Sequence, residues 1–152
     1  MSDRPDSRLR HLWRGPFTDP ELTGLHARAF GHPPDNAGWW ARVSAHSLGW
    51  VCARRGTALA GFVNVAWDGG AHAFLLDTAV EPDLQRSRVG TGLIAAAVEG
   101  ARAARCQWLH VDFEPHLSDF YLGACGMRPT RAGLLALCGE PRGEGPRTDV
   151  SG

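Results

Sequence analysis

The sequence contains no lysine, a single isoleucine (Ile94) and a single tyrosine (Tyr121). All of its 16 basic residues are arginine, and 16 acids balance them to a formal charge of zero. The absence of lysine and near-absence of isoleucine point to a GC-rich coding sequence and a bacterial source, and say little about function. No basic block or stripe is present, so the electrostatic footprint of a nucleic-acid binder is missing. No apolar run approaches the roughly 20 residues needed to cross a bilayer, and the first ten residues are polar with no apolar segment of a secretion signal. A cytoplasmic protein with neither nucleic acid nor membrane as partner is therefore expected. Cys52, Cys106, Cys125 and Cys138 are widely spaced with no Cys-x-x-Cys pair, which disfavours a disulfide framework, a zinc ribbon and redox chemistry.

A chain of 152 residues is the size of one domain. The expected division is a polar start over residues 1–8, a single domain over 9–138, and a disordered Gly/Pro/Arg/Glu tail over 139–152. A strand is expected over residues 9–13. Thr18-Asp19-Pro20-Glu21 then reads as a capping box opening a helix to about Phe30, closed by Gly31, Pro33 and Pro34. A second short helix carries Trp39, Trp40 and Val43 and stops near Gly49. Residues 50–54, 59–67 and 72–80 read as an antiparallel meander with turns at Gly56 and at Asp68-Gly69-Gly70. A helix with Leu93, Ile94, Ala97, Val98 and Ala101 on its buried face runs to about Ala104. A strand over 108–113, a short helix from a Ser118 cap to Cys125 with Gly126 as its left-handed stop, and a last strand over 133–137 complete the pattern.

Gln85-Arg86-Ser87-Arg88-Val89-Gly90-Thr91-Gly92, between the last meander strand and the Ala-rich helix, has the composition of an anion cradle. Small residues at Gly90 and Gly92 let backbone N–H groups approach a phosphate, the helix N-terminus adds its dipole, and Arg86 and Arg88 add charge. Gly90-Thr91-Gly92-Leu93-Ile94-Ala95 also satisfies the dinucleotide pattern Gly-x-Gly-x-x-Gly/Ala. That reading needs the first glycine directly after a strand, and Glu81 to Val89 is too long for such a turn. It also needs alternating strand and helix from the start, whereas antiparallel runs precede the motif. An acid at the right distance, Asp112, does exist.

The order strand, two helices, three meandering strands, helix, strand, helix, strand resembles the GNAT superfamily of acyl-CoA-dependent N-acyltransferases. Two motifs carry the resemblance. Gln85 and Gly90 match the cofactor signature Gln/Arg-x-x-Gly-x-Gly/Ala, with Arg88 in the place of its first glycine. Phe120-Tyr121-Leu122-Gly123-Ala124-Cys125-Gly126-Met127 is similar to the family's Phe-Tyr-x-x-x-Gly-Phe segment, with Met127 for the last aromatic. The resemblance implies an α/β fold with a mixed, mostly antiparallel central sheet flanked by helices, and acetyl-CoA as cosubstrate. It implies transfer of the acetyl group to a primary amine by direct attack through a tetrahedral intermediate. Neutral overall charge favours a small-molecule acceptor, and the resemblance allows a homodimer.

An alkyl ammonium must lose a proton before it can attack a thioester. Asp77, an acid among Leu75, Leu76 and Ala79, and Glu114, past the end of the next strand, are the candidates to remove it, directly or through water; an ion pair with an arginine is the alternative for either. Tyr121 falls where the resemblance puts the general acid that protonates the coenzyme A thiolate, and packing in the core is its alternative. The resemblance implies that backbone N–H groups near Thr78, Ala79 and Val80 hold the oxyanion. Gln85, Arg86, Ser87, Arg88, Val89, Gly90, Thr91 and Gly92 would hold the pyrophosphate. The resemblance, in which the first two helices and the central strands flank the amine, makes Trp39, Trp40 and Phe74 candidate linings of the acceptor pocket; Trp39 and Trp40 are adjacent on a short helix and cannot face the same way. His110 and Asp112 share a strand face with Trp108 and can point at the acceptor. With His116 they have the residue types of a metal site, but their spacing follows from one strand face, and no metal is expected. The rivals from other classes are a non-catalytic acyl-CoA-binding sensor or scaffold and a nucleotide-dependent oxidoreductase.

Overall fold

The computed structural model describes residues 8–139; the polar start except Arg8 and the expected tail except Gly139 lie outside the described residues. Five strands lie side by side in chain order: β1 (Leu9–Trp13), β2 (Ser47–Arg55), β3 (Ala58–Trp67), β4 (His72–Val80) and β5 (Trp108–His110). The first four are antiparallel and β5 runs parallel to β4. A parallel partner cannot be reached by a hairpin. The crossover is α3 (Arg88–Ala103). α1 (Asp19–Phe30) and α2 (Trp39–His46) cover one face of the sheet, where Leu22, Leu25, Trp39 and Val43 meet Trp50, Phe62 and Ala79. α3 covers the other, where Leu93, Ile94 and Ala97 meet Val51, Val63 and Val65.

The N-terminus of α1 forms as its sequence predicts. Thr18 Oγ1 accepts from the Glu21 N–H, the Glu21 carboxylate accepts from the Thr18 N–H at 2.9 Å, and Gly31 closes the helix in the left-handed region. Two ion pairs then clamp the helix to the sheet. Arg54 on β2 holds Glu21 at 2.7 Å, and Arg28 near the other end of α1 makes a two-pronged contact with Glu81, just after β4, at 2.7 and 3.0 Å.

Glycines set how closely α3 approaches the sheet. Side chains of β1 occupy the space that Cβ atoms would need: at Gly92 a Cβ would lie 2.3 Å from the His11 ring, and at Gly100 2.5 Å from the Trp13 ring. His11 Nε2 also donates to the Val89 carbonyl at 3.1 Å, fixing β1 to the first turn of α3.

Four element expectations need correction. α2 ends at His46, because Ser47 turns extended and 47–49 join β2, where the Trp13 ring lies against Gly49. β5 ends at His110 rather than Phe113, since its ladder with β4 extends only from His72 to Phe74 and a strand without a partner does not continue. The helix after Ser118 is a π-helix over Asp119–Ala124; Ser118 is itself helical and its side chain caps nothing, while Gly126 does take the left-handed stop. The expected last strand over 133–137 does not form, and Leu134, Leu135 and Leu137 are exposed.

Candidate active site

The site begins with an interruption in β4. Phe62 pairs with Ala79 but Asn64 pairs with Leu76, so Asp77 and Thr78 together oppose one residue of β3. This is a β-bulge, and Asp77 takes its left-handed conformation with φ of 55°. A non-glycine residue held there is strained, and such strain recurs at functional sites. The bulge sends its two side chains to opposite faces. Asp77 faces α1 and α2, and Thr78 is fully buried on the α3 side.

On the α3 face the Tyr121 hydroxyl donates to Thr78 Oγ1 at 3.3 Å. Tyr121 is fully buried, its ring stacked on Phe113 at 5.0 Å and edge-on to Phe120 at 4.8 Å. The π-helix puts it there: Cys125 N–H bonds back five residues to the Phe120 carbonyl, and Met127 N–H bonds the Tyr121 carbonyl. Burial raises the Tyr121 pKa, against the opposing effect of its bond to Thr78, so the hydroxyl keeps its proton at neutral pH. Phe120 lies against Gly90, where a Cβ would sit 3.2 Å from the ring. The tyrosine is thereby tied to the first turn of α3.

Beyond Phe74, β4 and β5 no longer pair, and the sheet opens between them. The Glu81 N–H bonds the Ala60 carbonyl on β3. Strand alternation therefore turns the Val80 N–H away from β3, into this opening. The Val80 carbonyl, on the same side, accepts from Gln85 Nε2 at 3.4 Å.

Gln85, Arg86, Ser87 and Arg88 form an exposed turn into α3, with Arg86 left-handed at φ of 67°. Ser87 is the N-cap and accepts from the Val89 N–H. The Arg88 and Gly90 N–H groups lie in the first turn and have no intrahelical acceptor. Two cations and two backbone donors at a helix N-terminus fit a pyrophosphate. Of the two glycines read as the floor of that cradle, Gly90 makes room for Phe120 and Gly92 for His11. Thr91, in the next turn position, bonds the Arg88 carbonyl through its hydroxyl.

On the α1/α2 face, Asp77 lies between two cationic or titratable partners. Its Oδ1 is 3.8 Å from His26 Nε2 on α1, and its Oδ2 is 4.0 Å from Arg42 on α2. Trp39 is buried beside them, its ring 5.0 Å from His26 and 4.4 Å under the Arg42 guanidinium. Its Nε1 is buried with no hydrogen-bond partner. Trp40 points elsewhere, edge-on to Phe17 and Trp50. Of the adjacent tryptophans it is Trp39 that packs on His26 and Arg42, the two partners of Asp77.

The other sequence candidates gather separately. Phe74, His110 and Asp112 line a groove of about 640 Å³ along β4 and β5, with Trp108 and Met127. His110 stacks on Phe74 at 4.7 Å and bonds His72 at 2.7 Å. Glu114 stands at the start of the 3₁₀ turn Pro115–Leu117. No three His, Cys, Asp or Glu side chains converge as a metal-ligand set among the described residues. Sequence reasoning missed His26, His32 and Arg42. For His26 and Arg42 the only sequence signal is position on the two helices that the family resemblance sets beside the acceptor, and His32 lies just past the Gly31 stop of the first.

The comparisons with known proteins bear on the fold and the family. No curated protein matches the chain. Among solved structures it is similar to a GNAT-family acetyltransferase from Streptococcus pneumoniae (TM-score 0.70, 18% identity, 86% of this chain and 98% of that one). It is also similar to AAC(6')-Iy, in complex with the bisubstrate analogue CoA-S-monomethyl-acetylneamine (0.69, 19%, 86% and 97%). A third is glucosamine-6-phosphate N-acetyltransferase from Arabidopsis thaliana (0.69, 10%, 85% and 97%). At these identities the likeness is one of fold. The sequence model of the Acetyltransferase (GNAT) family matches residues 7–127, most of the chain, and the protein belongs to that family.

Proposed function

We propose that the protein transfers an acetyl group from acetyl-CoA to the primary amine of a small molecule. The observation that carries this reading is the β4 bulge, where Asp77 and Thr78 present a carboxylate on one face and a Tyr121-bonded hydroxyl on the other. Acetyl-CoA supplies the acyl group as a thioester. Arg86, Arg88 and the free N–H groups of the first α3 turn hold its pyrophosphate. The Val80 N–H, aimed into the opening of the sheet, supports the negative charge that grows on the acyl oxygen. Asp77 draws the acceptor's ammonium to the bulge from the α1/α2 side, where His26 and Arg42 also lie. Tyr121, protonated at neutral pH, gives its proton to the departing sulfur.

Thermal unfolding with acetyl-CoA, CoA, NAD and NADP separates the cofactor classes. A ligand at a hundred times its dissociation constant stabilises by about 2.7 kcal/mol. Stabilisation by NAD alone overturns the reading. Release of CoA thiol across a panel of amines then separates transferase from sensor: the expected result is acceptor-dependent release. Binding of acetyl-CoA without release for any amine favours the non-catalytic module.

A further inference from the structure

Three side chains and one carbonyl form a line from the bulge to the protein surface. Asp77 Oδ1 lies 3.8 Å from His26 Nε2, His26 Nδ1 lies 2.7 Å from His32 Nε2, and His32 Nδ1 lies 2.7 Å from the Pro33 carbonyl. A carbonyl oxygen only accepts, so His32 Nδ1 carries a hydrogen. In neutral His32 the other nitrogen, Nε2, is then a lone pair, and the hydrogen between the rings belongs to His26 Nδ1. Neutral His26 is left with a bare Nε2 lone pair facing a carboxylate oxygen. Two acceptors 3.8 Å apart do not bond each other, and together they call for a donor with more than one hydrogen. The orphaned Trp39 Nε1 beside them adds a buried donor that a ligand oxygen would satisfy.

Resting on the acyl-transfer reading above, we propose that His26 is the general base that deprotonates the acceptor amine, and that His32 is a positioning residue that fixes its tautomer. The ammonium donates one N–H to Asp77 and one to His26 Nε2. Its N–H bond breaks, the proton goes to Nε2, and the freed electron pair on nitrogen is the nucleophile. Asp77 stabilises the resulting imidazolium and Arg42 opposes it. The other groups packed on His26 are the uncharged rings of Trp39 and Phe30, together with His32. Arg28, two residues on along α1, is taken up by Glu81. The extra proton charge can spread to His32 along the 2.7 Å contact. Asp77 in this arrangement holds charge, and the proton is taken by nitrogen.

Two measurements on the full chain decide the matter. Long-range proton–nitrogen NMR of the histidines is expected to show neutral His26 with hydrogen on Nδ1, and loss of that preference in His32→Leu. Hydrogen on Nε2 of neutral His26 overturns the proposal whether or not an acceptor has been found. With an amine that the wild type acetylates, His26→Gln is expected to lower kcat/KM about 100-fold and to remove the acid limb of its pH profile. His32→Leu should lose about tenfold through misorientation. His32→Gln, whose side-chain oxygen accepts the same N–H, should stay near wild type. An unchanged acid limb in His26→Gln overturns the base assignment while leaving the transferase reading in place. A wild type that acetylates no amine counts against the transferase reading, and the NMR result then still decides the tautomer.

Discussion

His11 on β1 fills the space that a side chain at Gly92 on α3 would need, with a Cβ there falling 2.3 Å from the imidazole. A glycine that in the sequence belongs to an anion-binding motif is, in the fold, a notch for a neighbouring strand. Gly92→Ala should therefore destabilise the protein by about 1–3 kcal/mol, the usual cost of overpacking. His11→Ala in the same chain should recover part of the loss. Urea unfolding of the two single variants and the double variant measures the coupling. Strictly additive effects would mean that the two residues do not share this space.

Tyr121 and Thr78 give a second expectation. Replacing Tyr121 by Phe keeps the ring between Phe113 and Phe120 and removes only the hydroxyl that Thr78 accepts from. Stability should fall by about 1 kcal/mol, the ordinary worth of such a bond. Acetyl transfer should fall on the order of 100-fold, as for loss of a general acid. A variant that keeps full kcat would make Tyr121 a packing residue.

How much of this was legible in the sequence follows from the range of the interactions. α1 was fully readable, because its start is fixed by contacts three residues apart, between Thr18 and Glu21. Tyr121 was readable because it belongs to a local motif. The bulge was not: nothing in Leu76-Asp77-Thr78 marks a left-handed aspartate, and its conformation comes from pairing with β3. His26 reads as one polar residue on an amphipathic helix, and it gains meaning only from Asp77, 51 residues away in the chain. Leu134, Leu135 and Leu137 show the opposite failure. An apolar run states a preference for burial but does not supply a neighbour, and here the run stays exposed.

The Glu21–Arg54 pair predicts an acid dependence of stability. The hydrogen bond from Arg54 lowers the Glu21 pKa from 4.5 to about 2, against a desolvation penalty. A carboxylate with a depressed folded pKa contributes stability that is fully present above its unfolded value and is lost as pH falls through the folded one. The window here is from pH 4.5 down to about 2. Glu21 is 35% exposed, so solvent screening holds the gain to the order of 1 kcal/mol. Unfolding free energies of wild type and Glu21→Gln, followed across that window, should differ most at its upper end and converge at its lower end. A difference independent of pH would assign the effect of the substitution to the cap geometry alone.

Arg88 stands where the family signature has a glycine, exposed in the first position of α3 and two residues after the left-handed Arg86. Two explanations compete: the arginine adds a charge to the phosphate cradle, or it is a surface residue that leaves binding unchanged. Charge and geometry favour the first. The side chain leaves the helix at the end where anions are stabilised, and the adjacent Arg88 and Gly90 N–H groups have no helical acceptors. Arg88→Ala should weaken CoA binding about tenfold at low salt, the scale of one charge-assisted phosphate contact. The loss should shrink as salt screens an exposed pair, since the screening length falls to about 3 Å at 1 M. Calorimetric titration of CoA at several salt concentrations reads both effects. Arg86→Ala in parallel tests whether the neighbouring arginine shares the contact. Affinity unchanged in Arg88→Ala at low salt would leave the cradle to the backbone and Arg86, and would make Arg88 a neutral replacement for the glycine.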